Sequence, residues 1–288
     1  MIELEDNRTI HRFDHAAMNT VFSLRIPHPD RDRSLQVAGA CFRRLDGLED
    51  RFSRYRDDSD VSRINALRKG ESLFIEEDTH ACLKLAMEAS AATGGLFDVT
   101  LGARIEHRKL MKEGEAPKLS GRIEVAPDQP RVACMEPGRE IDLGGIGKGF
   151  ALDRMAEVLR EHGIESALIS CAGSTLLARG KETWDVLLRG EEVKQRLALA
   201  EEALSASGTG FQGAHVLHPD AAGYDFPYIF RRVWVVAVSA AVADAFSTAC
   251  LLMDRDELAA FHSVTPEAKR CFAEPHSGSE LICLKKSA

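Results

Sequence analysis

The sequence predicts an α+β fold, on three observations. Amphipathic helical segments and short strands follow one another without the strict alternation of a doubly wound sheet. The 288 residues are 44% hydrophobic, enough apolar material for a substantial core. No stretch rich in Pro, Gly or Ser divides the chain, so we predict one domain over residues 1–288, or two closely packed lobes.

The first half of the chain predicts a strand followed by three helical segments. Residues 20–26 alternate as a strand does, and Ser34 is predicted to cap a long amphipathic helix that ends near Phe52. Residues 52–67, rich in charge and turn formers, indicate a surface loop that ends in a short helical turn. A helix is predicted from Asp78 to Ala92, with "TGG" at 93–95 as its stop.

The second half is less regular at first. Residues 103–139 show no clear periodicity and favour a solvent-facing loop. A strand is then predicted to run into Leu143, followed by a helix from about Gly149 to His162 and a strand at 166–170. The remaining predicted elements are strands at 184–188 and 233–238, a small-residue helix at 240–253, and an edge strand in "LICLKK" at 281–286.

Charge and cysteine content exclude several classes of protein. The formal net charge is −8 without a basic block, so we expect no nucleic-acid partner. Seven scattered cysteines, without a CxxC pair, predict reduced and mostly buried thiols. The first 15 residues lack the apolar core of a secretory signal, and no apolar stretch is long enough to span a membrane. We therefore expect a cytoplasmic protein.

The segment "IDLGGIGKGFALDR", residues 141–154, is the first candidate for binding chemistry. It matches neither the P-loop nor the dinucleotide fingerprint, because Lys148 is followed by Gly149 and Phe150 stands where a third glycine is needed. Glycines still allow a ligand to approach the backbone, and the start of the next helix offers unpaired N–H groups to an anion. Alternatively, the glycines form a tight turn that only packs strand against helix.

Asp244 and Thr248 are the second candidate. They stand four residues apart on a predicted helix of small and apolar residues, so their side chains share one face. Magnesium suits such a pair, because it accepts one or two carboxylates, a hydroxyl and substrate phosphate oxygens. Alternatively, Asp244 complements the helix dipole and Thr248 bonds a carbonyl one turn back.

Taken together, these segments resemble the FAD:protein FMN transferases, the ApbE-like family. The resemblance rests on six segments in the same order along the chain: "MNT" at 18–20, "RFSRYRDDSDVSRIN" at 51–65, "TGGLFDVTLG" at 93–102, "IDLGGIGKGFALDR" at 141–154, "SASGTG" at 205–210 and "VSAAVADAFSTA" at 238–249.

The resemblance implies a mixed, largely antiparallel sheet with packed helices, and an enzyme that uses FAD and Mg²⁺. Such an enzyme transfers FMN to a threonine hydroxyl of an acceptor protein and releases AMP. By analogy the metal ligands are Asp244, Thr248 and the carbonyl of Gly145, and Lys148, Asp244 and His215 carry the catalysis. The implied FAD contacts are Met18, Tyr55, Leu96, Phe97, Asp98, Asp142 and Lys148.

The chain departs from the family pattern at several positions. The family's HIIDPRTG is replaced by "HVLHPDAAG" at 215–223, where His215 remains a candidate base or phosphate contact and His218 a second polar contact. Asn19 replaces a glycine, a mild change because Asn tolerates a left-handed backbone. Ser174 occupies a position at which the family commonly has Asp. Two alternatives therefore stay open: hydrolysis of FAD to FMN and AMP, and a flavin-binding protein without catalysis.

Overall fold

The fold is described from a computed structural model that covers residues 9–110, 115–171, 173–209, 216–221, 224, 226–277 and 280–286. The elements of the first half are β1 (Ile10–Ala17), β2 (Thr20–Pro27), α1 (Arg31–Phe52), α2 (Asp60–Asn65), β3 (Ser72–Phe74), α3 (Glu77–Ala92), α4 (Gly102–Lys109), β4 (Arg122–Val125) and β5 (Arg131–Glu136). Those of the second half are α5 (Gly147–Glu161), β6 (Ala167–Cys171), β7 (Thr175–Arg179), β8 (Trp184–Arg189), β9 (Lys194–Leu199), β10 (Glu202–Gly208), β11 (Phe230–Ala237), α6 (Ala240–Cys250), α7 (Arg255–Val264), β12 (Arg270–Pro275) and β13 (Ile282–Lys285).

An eight-stranded sheet organises the described part of the chain, in the order β1-β2-β6-β7-β10-β11-β12-β13. Its neighbouring strands pair antiparallel throughout the described residues. Parallel pairing is limited there to one isolated bridge, between Leu101 and Glu140. The predicted α+β class with a largely antiparallel sheet is confirmed, and "LICLKK" does supply an edge strand, β13.

The two faces of the large sheet are covered differently. Helices α5 and α6 pack on one face, and α1 packs against α5. The β8–β9 hairpin covers the other face, where Trp184, Val186 and Leu188 are buried beside Trp234 and Phe272 of the large sheet. Exposed residues alternate with the buried ones along β8, as expected for a strand with one apolar face.

Helix α1 begins four residues earlier than predicted. Asp30 caps it, because its carboxylate accepts a hydrogen bond from the backbone N–H of Arg33. Ser34, the predicted cap, lies inside the first turn, where its hydroxyl donates to the carbonyl of Asp30 at 2.8 Å. The prediction was wrong because Asp and Ser are equally good caps and both precede the apolar periodicity.

Two further predictions were wrong between residues 99 and 143. The expected strand into Leu143 is absent from the described chain, where residues 141–143 have no regular secondary structure. They are held by isolated hydrogen bonds, such as the one from the Asp142 amide to the Val99 carbonyl at 2.8 Å. Conversely, residues 103–139, predicted as loop, contain α4 and the strands β4 and β5, which join β3 in a small sheet.

Helices α5 and α6 approach each other closely at a glycine. A Cβ atom placed on Gly149 would lie 2.3 Å from the carbonyl oxygen of Ala240. No such contact is tolerated between real atoms, so this crossing requires a residue without a side chain. The small residues of α6 allow the same close approach to β10.

Candidate active site

The glycine turn, residues 142–147, joins the segment after β5 to α5. Asp142 shapes it, because one of its carboxylate oxygens accepts the amide of Gly144 at 2.8 Å. The amides of Ile146 and Gly147 both donate to the carbonyl of Leu143, which closes the turn into the first turn of α5. Lys148 folds back, with its Nζ 2.6 Å from the carbonyl of Gly144. Its ammonium has further donors that an anion at the start of α5 could use.

Asp244 lies buried on α6 and faces the sheet. Its Oδ1 accepts hydrogen bonds from the hydroxyls of Ser205 at 3.1 Å and Thr175 at 3.4 Å, and its Oδ2 accepts from the amide of Gly149 at 3.2 Å. Ser205 and Thr175 stand directly opposite each other on β10 and β7, so the antiparallel register presents both hydroxyls to the same carboxylate.

Thr248, one turn after Asp244, meets the glycine turn. Its hydroxyl donates to the carbonyl of Asp244 at 3.0 Å, which is the structural role that the sequence left open. The same oxygen lies near Gly145, since a Cβ on Gly145 would be 3.3 Å from Thr248 Oγ1 and 3.1 Å from Phe97 Cε2. The hydroxyl proton is used in the helix, while the oxygen keeps two lone pairs with which it can act as a ligand.

By chemical type, these groups suit a magnesium ion. A carboxylate, a hydroxyl and a backbone carbonyl are the hard oxygen donors that Mg²⁺ prefers, and it keeps several waters or phosphate oxygens besides them. Within the described residues, no three His, Cys, Asp or Glu side chains form a metal-binding group. A cation at Asp244 would therefore depend on neutral oxygens of the chain and on its substrate.

Asp98 and its neighbours adjoin the glycine turn. Phe97 is buried at 3% exposure and its ring forms the wall against which Gly145 packs. Asp98 accepts from Thr100 through one oxygen and from Arg139 at 2.7 Å through the other. Leu96 is partly buried against the main core.

Met18 and Asn19 form the two-residue turn between β1 and β2. Both have positive φ, 49° and 58°, as a tight hairpin turn of the type I′ kind requires. The left-handed backbone expected for Asn19 is confirmed, and Met18 shares it. Among the hydrogen bonds of the described residues, none joins this turn to the glycine turn.

Tyr55 is 65% exposed, and cations flank its ring. The guanidinium carbon of Arg54 lies 6.0 Å from the ring centroid and Lys109 Nζ lies 5.9 Å from it. An exposed aromatic ring is suited to stacking on a flat ligand.

The loop that departs from the family pattern is described in part. His215 lies outside the described residues. His218 accepts the amide of Asp220 at 3.1 Å and stacks on Phe226, with ring centroids 4.8 Å apart. Arg104 of α4 donates to the carbonyls of Pro219 and Ala221, so α4 anchors this loop.

Comparison with known proteins decides the family. The ApbE family model matches residues 18–272, most of the chain. The chain belongs to the ApbE family. A FAD:protein FMN transferase of Buchnera aphidicola is 23% identical over 267 residues, which span 82% of this chain and 78% of the relative.

Solved ApbE structures share the fold of this ApbE-family chain. The apo flavinyl transferase ApbE of Pseudomonas stutzeri superposes with a TM-score of 0.83 at 20% identity, over 98% of this chain and 96% of that one. The flavin transferase ApbE of Vibrio cholerae gives 0.84 at 19% identity, over 97% and 98%. None of the described helices is both long and apolar enough to cross a membrane.

Sequence reasoning missed Asp153, which positions α6. Its carboxylate accepts hydrogen bonds from the Ser239 hydroxyl at 2.7 Å and from the amides of Ala240 and Ala241 at 2.8 and 2.9 Å. Burial raises the pKa of Asp153, and this effect outweighs the lowering of the pKa by these hydrogen bonds. The signal in the sequence that could have identified Asp153 is its position four residues after Gly149, which places both residues on the same face of α5.

Asn65 and Arg54 were also missed. The Asn65 side chain pairs with the backbone of Ile141, through bonds of 2.6 Å from the amide and 3.0 Å to the carbonyl. Arg54 contacts the other side of the same segment. Both residues lie in the segment 51–65 that carries the family resemblance, but their partners are about 80 residues away and leave no local pattern.

Two cavities of the described chain lie away from this site. One of about 190 Å³ adjoins the end of α5 at Leu159 and Arg160, and the other, of about 650 Å³, adjoins β13. Neither is lined by Asp244, Thr248 or the glycine turn. The candidate site is therefore defined by its side chains and backbone groups and not by either of these two cavities.

Proposed function

We propose that this chain transfers FMN from FAD to a threonine hydroxyl of an acceptor protein, in a magnesium-dependent reaction that releases AMP. Membership of the ApbE family supports this, as do relatives named FAD:protein FMN transferase. The observation that carries the proposal is the proximity of Gly145 to the hydroxyl of Thr248, one turn after the buried carboxylate of Asp244. Two segments far apart in sequence, the glycine turn and α6, thus carry the three oxygen donors that we propose for a divalent cation.

In this proposal the carboxylate of Asp244, the hydroxyl of Thr248 and the carbonyl of Gly145 hold Mg²⁺, which neutralises charge on the FAD pyrophosphate when bound. Lys148, at the start of α5, donates to the phosphate that is transferred. The remaining FAD contacts are those assigned by resemblance: Met18, Tyr55, Leu96, Phe97, Asp98 and Asp142.

The reaction forms one bond and breaks one. The threonine oxygen bonds to the phosphorus of the FMN half, the anhydride bond to the AMP phosphate breaks, and AMP leaves with the electron pair. The proton of the threonine hydroxyl passes to a general base, for which we propose His215. We further propose a cytoplasmic location. Given the net charge of −8, we also propose that the protein has no nucleic-acid partner.

The test is incubation of the purified protein with FAD and Mg²⁺, with and without a pool of co-expressed candidate acceptors, and with EDTA as the metal-free control. We expect AMP release that requires both acceptor and Mg²⁺, and an acceptor that gains the mass of FMN minus water on a threonine. AMP release without acceptor would instead identify a FAD pyrophosphatase. Binding of FAD without AMP release under any condition would identify a flavin-binding protein.

A further inference from the structure

Arg54 lies among three carboxylates at the base of the glycine turn. Its side chain is 9% exposed. Nη2 is 2.8 Å from the carboxylate of Glu140, Nη1 is 3.4 Å from that of Asp142, and Nε is 3.8 Å from that of Glu106. A guanidinium suits this position, because its planar group of N–H donors can hydrogen-bond to several acceptors at once.

The same guanidinium ties the start of α4 to the segment that precedes the turn. Arg54 Nη1 donates to the carbonyl of Gly102 at 2.7 Å, and the amide of Gly102 donates to the carbonyl of Glu140 at 2.8 Å. A Cβ on Gly102 would lie 2.7 Å from both Arg54 Nη1 and the Glu140 oxygen. The three groups are therefore packed without room for a side chain at Gly102.

Asp142 transmits this contact to the glycine turn. Its Oδ2 faces Arg54, while its Oδ1 accepts the amide of Gly144 at 2.8 Å. The carbonyl of Gly144 receives Lys148 Nζ, and Gly145 follows directly. A shift of the Asp142 carboxylate would therefore move the groups that we assign to phosphate and metal.

We propose that Arg54 is a positioning residue, which fixes Asp142 and thereby the Gly145 carbonyl and the Lys148 ammonium. This inference rests on the proposed function, because it assigns those two groups to the metal and the phosphate. Arg54 acts through Asp142 and does not touch the reacting atoms. Loss of Arg54 should therefore weaken the binding of FAD and Mg²⁺ more than it lowers kcat.

The experiment compares Arg54→Gln and Arg54→Lys with the control Arg56→Gln. Arg56 is in the same loop but is half exposed and pairs with Asp50 and Asp58 at the surface. For Arg54→Gln we expect the KM for FAD and the half-saturating Mg²⁺ concentration to rise roughly 10- to 100-fold, the range typical for a residue behind the ligands. We expect kcat at saturation to fall less than about threefold. Arg54→Lys should recover part of the loss, and Arg56→Gln should match the wild type.

Two readouts do not depend on turnover. FAD affinity is measured by quenching of flavin fluorescence, and local order by hydrogen exchange of peptides covering residues 140–149, with β8–β9 as reference. Arg54→Gln should weaken FAD binding, speed exchange at 140–149 and leave exchange in β8–β9 unchanged. If Arg54→Gln does not fold, Arg54→Lys decides the same comparisons.

The outcomes separate the two proposals. A wild-type protein that binds FAD but releases no AMP would overturn the proposed function, and the binding and exchange readouts would still judge Arg54. Wild-type KM, FAD affinity and exchange in Arg54→Gln would overturn the positioning role. So would a loss of kcat with unchanged KM, since it would place Arg54 at the reacting atoms.

Discussion

At the residue scale, the site depends on a carboxylate that is buried among neutral donors. An isolated charge withdrawn from water costs several kcal/mol unless hydrogen bonds or a counter-ion compensate it. Asp244 receives two hydroxyls and one amide, at distances of 3.1 to 3.4 Å, which are long for charge-assisted bonds. This arrangement holds the carboxylate in place through long hydrogen bonds, consistent with the metal-ligand role that we propose for it.

The cysteines give a prediction at the same scale. All seven lie within the described residues, six are buried, and Cys283 on the edge strand β13 is exposed. Burial raises the pKa values of Cys41 and Cys171 to about 12, so these thiols stay protonated and unreactive at neutral pH.

We therefore expect a disulfide reagent such as DTNB to modify one thiol per native chain at neutral pH, and seven after denaturation. Cys283→Ser should abolish the fast reaction and leave the unfolding temperature unchanged. Rapid modification of Cys171 in the native protein would contradict the buried position of β6 beside the site.

At the element scale, the crossing of α5 and α6 sets the geometry of the site. Gly149 allows the two helices to touch, donates its amide to Asp244, and stands one turn before Asp153, whose carboxylate caps α6. A single face of α5 thus fixes both the position of α6 and the orientation of its aspartate.

Gly149→Ala tests this crossing. The added Cβ would meet the Ala240 carbonyl at 2.3 Å, so the helices must separate, at a cost of about 1–3 kcal/mol in the free energy of unfolding. The matched control is Gly47→Ala in α1, where no atom lies within 4 Å of the added Cβ and the change should stabilise by about 0.5–1 kcal/mol. Denaturant unfolding of both variants measures the difference. Equal stabilities for the two would refute the close crossing.

Some elements could be predicted from the sequence because local periodicity encodes them. Helices α1, α3 and α5 and the strands β2 and β8 each show an apolar repeat. The small sheet β3-β5-β4 could not, because its short strands carry partly exposed residues and gain their stability from pairing with distant segments. The same applies to residues 141–143. Their apolar pattern resembles a strand, but their backbone is held by isolated hydrogen bonds to the Val99 carbonyl and to the Asn65 side chain.

At the scale of the whole molecule, the antiparallel sheet brings distant segments to one site. Thr175 and Ser205 come from adjacent strands, Asp244 and Thr248 from the helix above them, and Gly145 from the turn before α5. Sequence reasoning found Asp244, Thr248 and the glycine turn because their residue types suit a cation and an anion. It missed Arg54, Asn65 and Asp153, because a positioning residue is recognised by its partner and that partner is set by the tertiary fold.

The central claim, that Asp244 holds the metal that activates FAD, is tested most directly by AMP release from FAD in Asp244→Asn at a fixed Mg²⁺ concentration. We predict a loss in kcat/KM of more than about 100-fold, beyond what residues behind the ligands typically cause. The control is Asp254→Asn, the cap of α7, where Asn serves as well as Asp. Wild-type AMP release by a folded Asp244→Asn protein would contradict the account.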